Sequence, residues 1–243
     1  LFYRPLRAAE FQAFEQALCT IVDTMGRDDV FIGDHLITIA RNVGFATDPE
    51  FLEAFHPEAT TIPNLSLIWR LHTLCWAARH TASLEGDFVE CGVYEGFSSA
   101  VVARYLKFAS LDKRFWLYDL FDHREETSGS LMPAHGSGLY QRVVRRFEAY
   151  PNVRVVKGFI PRVFQHDAPE RIAWLHVDLN DAEAETSALE VLFDRVTPGG
   201  MVIFDDYGWK DFGAQKIAAD AFASQRGYSI LEMPTGQGLL VKK

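Results

Sequence analysis

The sequence predicts an α/β protein with a mainly parallel, seven-stranded sheet covered on both faces, an antiparallel C-terminal edge and an N-terminal helical region. Three observations predict this. From Asp87 onward, short β-branched or aromatic runs alternate with helical patterns. Before Asp87 no strand-like run is evident, and apolar residues recur at helical spacing. The last two strand-like segments, at 228–233 and 239–242, have only the turn signal Gly236-Gln-Gly238 between them, which suits a hairpin and leaves no room for a crossover helix.

Taken in order, the spacing of Phe11, Phe14, Leu18, Ile21 and Val22 predicts a helix over 8–25. Asp34 reads as the cap of a second helix reaching Asn42, and Asp48 as the cap of a third around 51–55. Pro57 and Pro63 break the chain, and Asn64 precedes a long helical pattern carrying Leu67, Leu71, Leu74, Cys75 and Ala78. Strands then read at 88–91, 115–119, 153–157, 172–178 and 201–205. Helices read at 98–107, 139–150, 183–193 and 215–225, with a polar, glycine-containing loop at 122–138 and a stop at Pro198-Gly-Gly200. This divides the chain into a helical region at 1–63 and a ligand-binding core at 64–243. The apolar faces of the first region fit a lid over the site or a surface for a homo-oligomer.

Lys and Arg total 24 against 33 Asp and Glu, a net charge of −9, which argues against a general nucleic-acid binder because phosphates require a basic face. Cys19, Cys75 and Cys91 are odd in number and form no CxxC pair, so neither a disulfide framework nor a zinc site is supported. Each sits among apolar residues, as a small core residue suited to a reducing compartment. No apolar run approaches the ~18–20 residues of a membrane span, and no signal peptide is visible, so a cytoplasmic location is expected.

In an open parallel sheet, ligands bind beyond the carboxyl ends of the strands. Those ends carry Glu90, Asp119, Lys157-Gly158, Asp178 and Asp205-Asp206. A single carboxylate there serves equally as a helix cap; the whole set points to a ligand site. In GDFVECGVYEGFSS, at 86–99, Gly92 and Gly96 permit a sharp turn and a close approach of backbone to ligand. A dinucleotide site would carry GxGxxG to seat a pyrophosphate. Here that spacing is missing, and Glu90 and Glu95 would repel a pyrophosphate, which disfavours a nicotinamide-dependent oxidoreductase. A ligand with a cationic end and a ribose fits better, with Glu90 toward the amine and Asp119 toward the ribose hydroxyls. S-adenosylmethionine has both features.

The stretch GDFVECGVYEGFSS resembles the first motif of class I S-adenosylmethionine-dependent methyltransferases, and more narrowly of the macrocin O-methyltransferase (TylF-like) family of sugar O-methyltransferases. YDLFD at 118–122, VRVVKGFIP at 153–161, HVDLN at 176–180 and LFDRVTPGGMVIFDDYGW at 192–209 fall in that family's order. The resemblance covers about 86–209 and implies a Rossmann-like methyltransferase fold. It also implies that Glu90, Gly92, Tyr94 and Gly96 line the methionine end of the cofactor, with Ser98 and Ser99 toward its carboxylate. Asp119 would hold the ribose, and Lys157, Gly158 and Phe159 would lie near the adenine. A divalent metal, usually magnesium, would bind Asp178, Asp205 and Asp206. Three carboxylates at adjacent strand ends suit a hard, oxygen-loving cation and would repel one another without it. Two departures stand out. Asn180 and Ala182 occupy positions where the family often reads Asp and Tyr, and Glu95 a position that is often basic.

Asp178 is the first candidate for general base. His176, two residues earlier on the same strand, faces the same side, and reads equally as a packed strand histidine. For the acceptor, Asn180 keeps a carbonyl able to position a hydroxyl, Tyr207 and Trp209 follow the Asp pair and can stack on a sugar, and His123 and His135 flank the polar loop. The expected function is magnesium-assisted methyl transfer to a hydroxyl of a small-molecule or glycan acceptor. A sugar of a glycosylated metabolite or surface polysaccharide comes first. A catechol-like acceptor, whose vicinal oxygens suit a metal equally, is the first alternative. A non-catalytic scaffold keeping the fold is the second, and the intact Asp178, Asp205 and Asp206 argue against it.

Overall fold

The computed structural model describes residues 8–122 and 134–243, so His123 lies outside the described residues. Two compact units make up the chain, Leu1–His72 and Thr73–Lys243. The first begins with α1 (Ala8–Met25), where Phe14, Leu18, Ile21 and Val22 are half-buried along one stripe. Cys19 on this helix is exposed, not part of a core. The helix expected after Asp34 is absent. In its place β1 (Val30–Gly33) and β2 (Leu36–Ile39) pair antiparallel. Asp34 and His35 adopt φ of 46° and 63°, the left-handed pair that a two-residue hairpin loop requires. Asp34 faces Arg70 at 3.0 Å in a buried ion pair instead of capping a helix. Asp48 does cap its helix, α2 (Pro49–Phe55), accepting from the Glu50 and Phe51 N–H groups. The long helical pattern after Pro57 divides into α3 (Ile62–Ser66) and α4 (Ile68–Thr81), because Leu67 leaves helical geometry.

The second unit continues with β3 (Asp87–Cys91), α5 (Phe97–Tyr105), β4 (Phe115–Asp119), α6 (Leu139–Arg146) and β5 (Val153–Lys157). There follow β6 (Ile172–Val177), α7 (Ala182–Leu192), β7 (Val196–Phe204), α8 (Gly213–Gln225), β8 (Leu231–Glu232) and β9 (Gly238–Val241). The seven strands order as β5-β4-β3-β6-β7-β9-β8. The first five run parallel, β9 lies antiparallel to β7, and β8 antiparallel to β9. Pro198-Gly-Gly200 falls inside β7 and does not simply stop a helix. Val196 pairs with Ile172, and the register shifts before Met201 pairs with Trp174.

Alternation along the strands sorts their side chains. Val89, Cys91, Leu175, Val177 and Val202 pack with Leu189, Leu192 and Phe222 of α7 and α8. The opposite face carries Phe88, Phe115 and Trp174, whose rings meet at 5.5–5.9 Å between centroids. Glu90 and His176 follow Phe88 and Trp174 on that face. The strand order reverses between β3 and β6, the switch point at which such sheets open a crevice. Among the described residues, no helix is long and apolar enough to cross a membrane.

Candidate functional site

The hydrogen-bond ladder runs past the strand ends and pins the candidate residues by their backbone. Gly92 N–H donates to Tyr118 O at 2.8 Å, Asp178 N–H to Cys91 O at 2.8 Å, Gly158 N–H to Asp119 O at 3.0 Å and Asp205 N–H to Val177 O at 3.0 Å. Gly92 has φ of 92°, and a Cβ there would stand 1.7 Å from the Asp178 carbonyl oxygen. The β3–β6 crossing therefore demands this glycine before any ligand does. Gly96, at φ 76°, starts α5 close against the Phe147 ring. Asp119 is buried. Its Oδ2 accepts from Val93 and Tyr94 N–H at 2.8 and 2.7 Å, and its Oδ1 from Phe121 N–H at 2.6 Å. The carboxylate thus ties the first glycine loop to the end of β4. His135 is placed beside this group and not apart from it. Its Nε2 is 3.9 Å from Asp119 Oδ1, and its ring lies edge-on to Tyr94 at 5.1 Å.

A chain of buried polar side chains crosses four neighbouring strands. Register sets Glu90 opposite His176 and His176 opposite Ile203. Asp205 comes two residues after Ile203 and so returns to the same side. Phe204 pairs with Gly238, which brings Gln237 beside Asp205. Glu90 accepts from the Ser99 hydroxyl on one oxygen and lies 2.8 Å from His176 Nδ1 on the other. His176 Nε2 meets Asp205 Oδ1 at 3.2 Å, and Gln237 Nε2–H donates to that same oxygen at 2.9 Å. Burial alone would pull the His176 pKa down. The hydrogen bonds to Asp205 and Glu90 outweigh it and hold the imidazolium up to about 10. Burial pushes Glu90 up, with the His176 hydrogen bond working against it. An imidazolium donating from both nitrogens holds two carboxylates in place and has no lone pair for a substrate proton.

Side-chain atoms of His176, Asp178 and Asp205 converge within 4.8 Å of one another, with both His176 nitrogens already engaged by Glu90 and Asp205. Burial raises the Asp178 carboxyl well above its ordinary range, and the charges of Asp205 and Asp206 raise it further. Asp206 is therefore close enough to be felt, although the convergent trio has His176 where the sequence suggested Asp206. Crowded carboxylates, with Asp178 raised in proton affinity by its neighbours, are a donor set that a hard cation relieves. Asn180, at φ 55°, turns its amide back to Asp178 Oδ1 at 3.4 Å.

Glu185 is a residue the sequence reading missed. It lies on the buried stripe of α7 with Ala188, Leu189 and Leu192, an acidic residue where the spacing calls for an apolar one. Its Oε1 accepts from Gln215 Nε2–H at 2.6 Å and from Leu179 N–H at 3.3 Å, bracing the loop after Asp178. Burial pushes this carboxyl from 4.5 up to about 8, with those hydrogen bonds opposing. A raised pKa adds stability that is complete below the unfolded value and disappears as pH climbs through the folded one. Stability is therefore expected to fall between about pH 4.5 and pH 8. Urea unfolding of Glu185→Gln should show a shallower fall across that window; an unchanged slope would contradict the assignment.

The remaining candidates spread around this centre. Ser98 is half-buried in the first turn of α5, and Ser99 is fully buried on Glu90. Lys157 pairs with Asp122 on the surface. Phe159, just beyond β5, exposes 49% of its surface, with the Arg162 guanidinium 5.7 Å from its ring centroid. Trp209 is half-buried. Tyr207 is buried, its hydroxyl donating to Asp220 at 2.5 Å, so its ring packs in the core.

Residues 69–230 match the family model of macrocin-O-methyltransferase (TylF). The 8-demethyl-8-(2,3-dimethoxy-alpha-L-rhamnosyl)-tetracenomycin-C 4'-O-methyltransferase of Streptomyces olivaceus is 31% identical over 138 residues, 50% of this chain. The match spans about half the length of that relative, 53%. Among solved structures, the O-methyltransferase NovP superposes with a TM-score of 0.63 at 20% identity, covering 72% of this chain and 80% of its own. The SAH-bound Podospora anserina methyltransferase PaMTH1 has a TM-score of 0.51 at 11% identity, covering 100% of this chain and 99% of its own. These neighbours share the fold, and the family match spans the strand ends described above: the chain belongs to the macrocin-O-methyltransferase (TylF) family.

Proposed function

We propose that this protein transfers a methyl group from S-adenosylmethionine to a sugar hydroxyl of a glycosylated metabolite or surface polysaccharide. The observation that carries the reading is the convergence of Asp178, Asp205 and the His176-centred network at the switch point, in a chain of this family. The rhamnosyl group named for the Streptomyces relative supports a sugar acceptor, and the SAH-bound fold neighbour supports the methyl donor. Asp178, Asp205 and Asp206 fit a divalent cation, magnesium first, because their mutual repulsion is what such an ion removes. A cation bound there supplies Lewis-acid polarisation that lowers the pKa of an acceptor hydroxyl.

The chain's own residues do the rest. Asp178 takes the hydroxyl proton, from its place just past the end of β6 beside Asp205. Asn180 and Trp209 border the acceptor, while Asp119 and the loop it organises hold the donor's ribose and methionine ends. S-adenosylmethionine held there would supply the methyl group to the acceptor oxygen, with its sulfur as the leaving group that keeps the electron pair as a neutral thioether. Holding the two reactants in line accounts for much of the acceleration.

Calorimetric titration with S-adenosylhomocysteine tests the donor half. Wild type should bind in the micromolar range. Phe159→Ala, an exposed change that leaves folding intact, should weaken binding roughly tenfold through lost stacking. Folded wild type that binds neither S-adenosylhomocysteine nor S-adenosylmethionine would overturn the reading.

A further inference from the structure

We infer that Gln237 is a positioning residue that sets the rotation of the Asp205 carboxylate for cation binding, an inference that rests on the cation site proposed above. Gln237 is fully buried although its turn, Thr235-Gly-Gln-Gly238, reads in the sequence as a bare hairpin connection. The Thr235 hydroxyl donates to Gln237 Oε1 at 3.0 Å, which orients the amide so that Nε2–H points at Asp205 Oδ1, 2.9 Å away. His176 Nε2 reaches that same oxygen from the other side, at 3.2 Å. Two donors on one oxygen, arriving from β6 and from the turn before β9, leave the carboxylate little freedom to rotate.

The turn is itself clamped to the loop it serves. Gly208 N–H donates to Gly236 O at 2.7 Å, and Met233 N–H to Gln237 O at 2.9 Å. The Asp205–Trp209 loop and the Thr235–Gly238 turn thus form one braced unit. The antiparallel edge of the sheet has a task here beyond closing the fold, because β9 returning beside β7 places the Gln237 amide level with Asp205.

The test is titration of Mn2+ alone, as a spectroscopic substitute for Mg2+, into wild type, Gln237→Leu and Thr235→Val, each also titrated with S-adenosylhomocysteine. Loss of an outer partner of a metal ligand typically weakens metal affinity roughly 10–100-fold, so Gln237→Leu should bind Mn2+ at least about tenfold more weakly. Thr235→Val keeps the amide but frees its orientation, and should lose roughly threefold. Both should keep S-adenosylhomocysteine affinity within about twofold, which a merely structural lesion would not do. Gln237→Leu that binds S-adenosylhomocysteine and Mn2+ like wild type overturns the inference alone. Wild type that binds S-adenosylhomocysteine but no Mn2+ overturns the cation site and this inference with it. Should Gln237→Leu fail to fold, Thr235→Val decides: unchanged Mn2+ affinity refutes the positioning role.

Discussion

Replacing His176 with leucine is expected to cost about 3–5 kcal/mol of stability, a fall in melting temperature of roughly 10 °C for a chain of this size. The cause is what the change leaves behind. Glu90 and Asp205 are both buried and both face the imidazolium, at 2.8 and 3.2 Å. Without it, two carboxylates stay in a low-dielectric interior with no cation between them. Adding Glu90→Gln to His176→Leu should recover part of the loss, because one stranded charge is removed and Ser99 still has a partner. The pH profile gives a second signature. A histidine pKa raised from 6.5 to about 10 contributes stability that is complete below about pH 6.5 and gone above about pH 10. Urea unfolding across that window should slope downward in wild type and lose that component in the variant. A His176→Leu protein that melts with wild type would mean that His176 does not hold these carboxylates.

Asp178→Asn should lower turnover by roughly 10²–10⁴-fold, the usual worth of a general base, while S-adenosylhomocysteine affinity stays near wild type. It should also raise the melting temperature of the metal-free protein, because Asp205 and Asp206 no longer face a third negative charge. A change that stabilises the fold and removes activity is the mark of strain kept for function. Wild-type turnover in Asp178→Asn, or a lower melting temperature, would assign the carboxylate a structural role instead.

Much of this architecture was legible because strand ends in an alternating α/β pattern are also site positions. Glu90, Asp119, Asp178 and Asp205 all lie where the strands were expected to finish, within a residue of the observed ends. The hairpin at 30–39 was not legible. Its two-residue loop is Asp-His and not the Asn-Gly or Asp-Gly that signals left-handed geometry, and an aspartate before an apolar run is as good a helix cap as a turn residue. Pro198-Gly-Gly200 misled in the other direction, since a register shift lets β7 absorb residues that usually stop an element. Side-chain partners were the least legible. Glu90 and His176 are 86 residues apart, and Asp205 and Gln237 are 32 apart. Only strand order and register join them, which periodicity along one segment cannot reveal. Glu185 left a readable trace, an acidic residue on an apolar stripe, but the same trace fits a residue snorkelling to solvent.

The most direct test of the central claim is mass spectrometry after incubation with S-adenosylmethionine and Mg2+, using a rhamnosylated aglycone, a simple rhamnoside and a catechol as parallel acceptors. The expected result is one methyl group added to a sugar-bearing acceptor, matched by equimolar S-adenosylhomocysteine and lost in Asp178→Asn. Methylation of the catechol with none on either sugar, or no transfer by protein that binds the donor, would contradict it.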